Sequence, residues 1–273
     1  IETFKSDHDG ISIALASNQN INAKLLVGAD GAESRVRSLA EISVEKTPYN
    51  HQAIVATVNT ELPHRETARQ RFLDTGPLAF LPLQGGSSSI VWSCSPQRFD
   101  ELNALDDAAF SAAFTEAFEN RLGTITLASS RSSFPLNNQH ANQYIAPRIV
   151  LVGDAAHTIH ALAGLGANLG FADAADLAAV IDNTYRTGKD IGIRPLLRRY
   201  ERWRRGVNRL TAKTMDVFYH TFGTNRPGIQ SLRGVGLNLV DKTSLAKDFF
   251  MQHATGLRGD LPKMAQKGSI SSK

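Results

Sequence analysis

The sequence predicts an α/β chain in which short covered strands end in acidic turns, a lobe of further strands is inserted between them, and helices follow. Two segments carry that expectation. Residues 148–171 read RIVLVGDAAHTIHALAGLGANLGF. Arg148 opens a strand, residues 149–152 form the unbroken apolar run of a strand covered on both faces, and Gly153 with Asp154 ends it. Gly164, Gly166 and Gly170 then let backbone approach something bulky. A helix beginning near Ala167 points its N–H groups and positive dipole end at the same place. The second segment, residues 23–37, reads AKLLVGADGAESRVR. Leu25, Leu26 and Val27 make a short apolar strand, followed by Gly28-Ala29-Asp30-Gly31 and a polar turn with Ser34, Arg35 and Arg37. Acidic residues at the carboxyl ends of strands stand where open α/β sheets bind ligands.

The remaining elements follow in order. Residues 1–15 read as a β-hairpin that turns at Asp9-Gly10, with Ile11, Ile13 and Leu15 alternating after it. Residues 1–45 and 146–192 are expected to be discontinuous parts of one lobe, 46–145 an inserted lobe, and 193–273 a C-terminal helical region. In the inserted lobe, strands are expected at 53–59, 70–73, 78–83 and 88–93, punctuated by Pro77, Pro82, Gly85 and Gly86. Asp106 or Asp107 caps a helix running to about Leu122, with Phe110, Phe114 and Phe118 at helical spacing. From Arg194 onward, Tyr200, Trp203, Val207, Leu210, Thr214 and Val217 step by three and four and predict one apolar stripe. Pro227-Gly228 breaks that helix. Further helical segments are expected at 232–241 and 243–253, before a polar tail that frays.

Composition excludes several classes. A chain of 273 residues with 42% hydrophobic and 21% charged residues is globular and large enough for more than one lobe. The net charge of +4 is local, because Arg194, Arg198, Arg199, Arg202, Arg204, Arg205 and Arg209 crowd one segment. They are not interleaved with aromatic platforms, so nucleic acid is not an expected partner. Cys94 is the only cysteine, which excludes an internal disulfide and suits a reducing cytoplasm. No CxxC or HExxH spacing suggests a metal. No apolar run approaches the roughly 18–20 residues that span a bilayer.

The two opening segments are similar to the DG and GD motifs of the FAD-dependent aromatic hydroxylases, the class that includes para-hydroxybenzoate hydroxylase. The resemblance is closest to the ubiquinone-biosynthesis hydroxylases. It continues in Gln70-Arg71-Phe72, in GPLAFLPL at 76–83 and in LNLVD at 237–241. It implies an FAD/NAD(P)-binding, Rossmann-like domain, an inserted antiparallel sheet that walls the substrate site, and C-terminal helices. The dinucleotide fingerprint G-x-G-x-x-G does not occur before the DG segment, and the first residue is Ile1. The expectation is therefore a truncated form, a fragment without the ADP-binding βαβ unit. A gene start placed late, or a partner chain supplying the front, are the alternatives.

The resemblance also implies roles. The carboxylate of Asp154, beside Gly153, would accept a hydrogen bond from a ribityl hydroxyl. Asp30 and Gly31 would lie beside the pyrophosphate, with Arg37 pairing Asp30 or a phosphate. Gly164, Gly166, Ala167 and Asn168 would line the isoalloxazine ring, and the last two would donate backbone N–H groups to its N1/O2 edge. His157 would be structural and flavin-adjacent, and His160 is more readily a scaffold residue than a base. Plainer readings stand beside these: a turn or N-cap aspartate at Asp154, a turn-forming Asp-Gly at Asp30, a solvated Arg37, and a glycine loop for tight helix–strand packing. No side chain is expected as catalytic acid or base, since the flavin carries the chemistry. The family pattern His-Pro-x-Ala-Gly-Gln-Gly here reads His160-Ala161-Leu162-Ala163-Gly164-Leu165-Gly166, which predicts a looser, more apolar loop.

The expected function is FAD-dependent hydroxylation of an aromatic ring of a prenylated ubiquinone precursor, with NAD(P)H as co-substrate and O₂. The alternatives are a flavin hydroxylase of a soluble phenol and, for the truncated chain, a flavin-free non-catalytic scaffold. The expected partners are a prenylated phenol or quinol, a ubiquinone-biosynthesis assembly and a membrane surface. The expected location is cytoplasmic, peripheral at the inner membrane. The arginine-rich helix reads either as core packing with a solvated basic face or as a surface that meets anionic lipid.

Overall fold

The computed structural model describes residues 1–159 and 164–222. The expected segments at 232–241 and 243–253, the Pro227-Gly228 break, the 237–241 motif, His160 and Ala161 all lie outside them. Contacts divide the chain into two units. One comprises Ile1–Thr47 with Asn138–Phe218, and the other is built on Pro48–Asn137.

The first unit opens with the expected hairpin. β1 (Thr3–Ser6) and β2 (Ile11–Ala14) pair antiparallel, and a carboxylate oxygen of Asp7 accepts the N–H groups of Asp9 and Gly10 at 2.8 Å to close the turn. Alternation along β2 buries Ile11 and Ile13 and leaves Ser12 outside. β3 (Asn20–Ala23) adds to β2, and β4 (Leu26–Gly28) leaves for a second sheet. The short α1 (Arg35–Leu39) starts where the Ser34 hydroxyl accepts the Arg37 N–H at 2.9 Å. β5 (Val44–Thr60) then carries the chain into the second unit.

There, β6 (Arg69–Leu73), β7 (Gly76–Pro82) and β8 (Ser88–Cys94) follow close to the expected bounds, in the antiparallel order β5-β8-β7-β6. α2 (Pro96–Asn103) has a Ser95 cap and Pro96 in its first turn. α3 (Asp107–Ala117) is capped by Asp106, whose carboxylate accepts the Ala109 N–H at 2.7 Å. It stops before Leu122 because Glu119 and Asn120 take left-handed φ. Phe110 and Phe114 are fully buried, and the Phe114 ring lies 5.0 Å from Phe80 and 5.3 Å from Trp92. Burial pushes the Cys94 thiol up to about 12, so it stays protonated. β9 (Ile125–Leu127) pairs with β5, and β10 (Ser132–Ala141) returns the chain.

Back in the first unit, β11 (Ile145–Ala146) precedes β12 (Ile149–Leu151), the central strand of its sheet. Ile149, Val150 and Leu151 are all buried, as an unbroken apolar run requires. After a 3₁₀ turn at Gly153–Ala155, β13 (His157–Thr158) pairs with Gln139 and His140 of β10. Two long helices follow, α4 (Leu165–Arg186) and α5 (Arg194–Phe222).

The stripe expected along α5 is corrected by the structure. The buried face carries Leu197, Tyr200, Arg204, Asn208, Ala212 and Met215. Trp203, Val207, Leu210 and Val217 are exposed, Leu210 at 69%. Both faces satisfy helical spacing. The polar one turns inward because buried Asp173 on α4 takes hydrogen bonds from Arg204 and Asn208.

Arg148 staples this unit. Its buried guanidinium reaches Asp190 at 2.6 Å and the carbonyls of Lys24, Asp7 and His8. The Arg148 hydrogen bond holds the Asp190 carboxyl at about 2, below the ordinary carboxylate range. A folded pKa below the unfolded one means stability that is fully present above about pH 4 and lost as pH falls through about 2. Arg148→Met should cost about 2 kcal/mol in urea unfolding at pH 7, since Asp190 keeps some access to water. It should also flatten the loss of stability between those pH values. A variant as acid-labile as the parent contradicts this reading.

Candidate functional site

The site begins with three residue pairs. β12 runs parallel to β4 in the register Ile149↔Leu26, Val150↔Val27, Leu151↔Gly28, and the Val152 N–H reaches the Gly28 carbonyl at 3.0 Å. Parallel strands bring their carboxyl ends to the same edge. The turns holding Asp30 and Asp154 therefore leave the sheet side by side.

Arg37 locks the two turns together. Its buried guanidinium donates to the Ala155 carbonyl at 2.9 Å and to the Ala32 carbonyl at 2.7 Å. The Gln139 side-chain amide also donates to Ala32, at 2.8 Å. The Arg37 hydrogen bonds form a strut between backbone carbonyls in place of the expected pairing with Asp30. Five fixed donors on a planar group suit that work.

The two aspartates differ. One Asp30 oxygen accepts from the Ser34 hydroxyl at 2.5 Å and the other from the Val36 N–H at 3.0 Å, so Asp30 braces the start of α1. Burial tends to raise its pKa, but Ser34 and the nearby N–H groups outweigh that and lower it. Asp154 is exposed. Among the described residues its carboxylate takes part in no hydrogen bond or ion pair, and its acceptor sites face outward.

The glycines also divide by role. Gly153 takes a left-handed φ of +57°, and a Cβ placed on it would lie 3.6 Å from the Cα of Gly170, in van der Waals contact with α4. Gly164 caps α4 with φ +61° and without a side-chain hydrogen bond. A Cβ on Gly164 or Gly166 would meet nothing within 4 Å. Ala167 falls in the first turn, where its N–H has no intrahelical partner, while Asn168, four residues after the Gly164 cap, is the first donor of the helix ladder; both are exposed. Leu165, standing where the resembled pattern has glutamine, packs with Leu169 against buried Ile159, Ala212 and Met215. Its apolar side chain is used inside the protein.

Beneath the turn lies a buried polar cluster. Asp173 is fully buried, and each of its oxygens takes two donors. One accepts from Arg204 Nε at 2.6 Å and Asn208 Nδ2 at 3.1 Å. The other accepts from the Gly153 N–H at 3.0 Å and His157 Nε2 at 2.6 Å. Burial works to raise the Asp173 pKa, but His157 and Arg204 outweigh it and hold the group below its ordinary value. His157, itself buried, is therefore tied to the scaffold with its proton on Nε2, and its ring stacks 6.0 Å from that of Tyr144. Burial and nearby arginines push His140 down to about 4, which leaves it neutral at pH 7.

Asp173, Arg204 and Asn208 were not among the expected site residues. The available signal was an acid on the apolar face of an alanine-rich helix, in line with Gly170 and Leu177.

Residues 1–214 match the family described as the FAD binding domain. The chain belongs to that family. It is 38% identical over 251 residues to the 3-demethoxyubiquinol 3-hydroxylase of Escherichia coli, covering 92% of this chain and 64% of that protein. It is 37% identical over 279 residues to a mitochondrial ubiquinone biosynthesis monooxygenase of Xenopus tropicalis, covering 90% of this chain and 60% of that protein. The chain thus spans between 60% and 64% of the length of these relatives. Its fold matches p-nitrophenol 4-monooxygenase from Pseudomonas putida with a TM-score of 0.76 at 19% identity, over 95% of this chain and 66% of that one. The flavin-domain edge fits the group that gives the family its name. A free carboxylate suits a polyol, and an uncapped helix N-terminus flanked by open glycines suits a ring edge that carries negative charge.

Gly170→Val should separate packing from ligand contact. Its branched side chain would press on Gly153 and cost about 1–3 kcal/mol of stability in the flavin-free chain, measured by urea unfolding. A stability equal to the parent's would show that α4 does not rest on the turn.

Proposed function

We propose that this chain is the flavin-holding and substrate-facing part of an FAD-dependent aromatic-ring monooxygenase, and that its substrate is a prenylated ubiquinone precursor. The observation that carries the flavin assignment is the shared edge of β4 and β12. There, Asp30 is spent on structure, Asp154 pairs with nothing among the described residues, and α4, whose N-terminus has no side-chain cap, packs on the Asp154 turn through Gly170 and Asp173. When bound, FAD reduced by NAD(P)H supplies the reaction with O₂ that hydroxylates the ring. The chain's own part is positional. Asp154 accepts a ribityl hydroxyl, the N–H group of Ala167 donates to the ring's electron-rich edge with Asn168 next to it, and Gly164 and Gly166 leave room for it. Asp30, Gly31 and Arg37 hold the neighbouring turn in place. The substrate class rests on the names of the relatives from Escherichia coli and Xenopus tropicalis, both tied to ubiquinone.

Titration of FAD into the chain, followed by flavin fluorescence, tests the binding claim. Asp154→Asn keeps the shape but weakens the acceptor, and should lower the affinity at least tenfold, about 1.4 kcal/mol, while urea unfolding of the flavin-free protein stays unchanged. Equal affinity contradicts the assignment. Absence of FAD uptake by the parent favours a non-catalytic scaffold. Turnover of a soluble phenol with no preference for a prenylated one would favour the small-phenol alternative.

The exposed face of α5 supports a membrane surface as the place where such a substrate is met. Trp203, Val207, Leu210 and Val217 form an apolar row on one side of the exposed cations Arg199, Arg202, Arg209 and Lys213. An apolar row flanked by cations complements anionic lipid head groups. Among the described residues no helix is long and apolar enough to cross a membrane. The chain should sediment with vesicles rich in phosphatidylglycerol, and Trp203→Ser with Leu210→Ser, or the three arginines changed to glutamate, should each reduce the bound fraction severalfold. Unchanged sedimentation of both variants overturns the reading.

A further inference from the structure

We infer that Asp173 is a positioning residue for the flavin site, setting the register of α4 against the acidic turn and so aiming Asp154 and Gly166 at the same ligand. The inference rests on the proposed flavin reading and extends it to a residue that does not touch the ligand.

The argument is geometric. Gly166, Gly170 and Asp173 are spaced by four and three residues and share one face of α4. That face grips the turn twice. A Cβ on Gly170 would touch the Gly153 Cα at 3.4 Å, and Asp173 takes the Gly153 N–H at 3.0 Å. Gly166 lies four residues nearer the N-terminus, about 6 Å along the helix axis, where a Cβ would meet nothing. The two grips therefore fix how far the open end of α4 stands from Asp154, the residue after Gly153.

Asp173 also carries this position to other elements. His157 ties it to β13, and Arg204 with Asn208 ties it to α5. Arg204 reaches Asp176 of α4 at 3.3 Å as well. Asn208 continues to the Tyr144 hydroxyl at 3.4 Å. A carboxylate supplies four acceptor sites, and all four are filled. Without it, the Gly153 N–H in its left-handed turn would lose its buried partner, and α4 would keep only the Gly170 contact with this turn.

Two variants separate position from charge. Asp173→Asn keeps size but replaces an acceptor oxygen with an amide donor. Asp173→Glu keeps charge but moves the carboxylate outward by one methylene. Both should raise the hydrogen-exchange rate of the Gly153 amide at least tenfold in the flavin-free chain, with the β2 amides unchanged. Both should also weaken FAD binding at least tenfold. Combining Asp173→Asn with Asp154→Asn should weaken FAD binding no further than the worse single variant, because both act on one contact. Should Asp173→Asn unfold the chain, adding Arg204→Gln removes the stranded cation and gives the same readout. Wild-type exchange and affinity in Asp173→Glu, or additive losses in the double variant, overturn the inference. If the parent takes up no FAD, the flavin reading fails, and the Gly153 exchange rate alone decides whether Asp173 holds the turn.

Discussion

Parallel strands carry their carboxyl ends to one edge, and β4 and β12 do so over only three residue pairs. This short pairing is the constraint on which the rest depends. It sets two acid-bearing turns next to each other, although more than a hundred residues separate them in sequence. So few pairs would be a weak clamp alone. The Arg37 strut between Ala32 and Ala155 and the buried apolar row of β12 reinforce it. The inserted unit, with its own aromatic core, interrupts the sequence between the two turns.

Three aspartates show how environment assigns work to one chemical group. Asp30 is consumed by the helix start beside it. Asp173 is removed from water and survives as an anion because four donors surround it. Breaking such a buried pair by removing one member costs about 3–5 kcal/mol, whereas exposed pairs contribute about 0–1 kcal/mol. Of the three, Asp154 alone keeps its acceptors free among the described residues. A residue spent on neither capping nor core pairing, at the mouth of a ligand-binding edge, is the one left for recognition.

Much of this was legible in the residues. The apolar run before Gly153 reported a covered strand, Asp9-Gly10 reported the hairpin, and Pro77, Pro82 and Gly85 delimited the inserted strands. β10 was not legible, because SSFPLNNQHA has no apolar alternation and its pairing depends on neighbours distant in sequence. The inward face of α5 was misread for a related reason. Periodicity records spacing, and an apolar row at the right spacing looks like a core. The decision lay with a single buried acid on another helix, which drew Arg204 and Asn208 inward and turned Trp203 and Leu210 out. Arg37 was recognised as part of the site, but its partners are backbone carbonyls, which no side-chain pattern encodes.

The central claim, that both turns and the start of α4 form one flavin-binding edge, is tested most directly by amide chemical shifts during titration of the chain with FAD. The account predicts saturable shifts at Gly31, Asp154, Gly164, Gly166, Ala167 and Asn168 together, on one binding curve. Shifts confined to one of the two turns, or centred elsewhere in the chain, would contradict it.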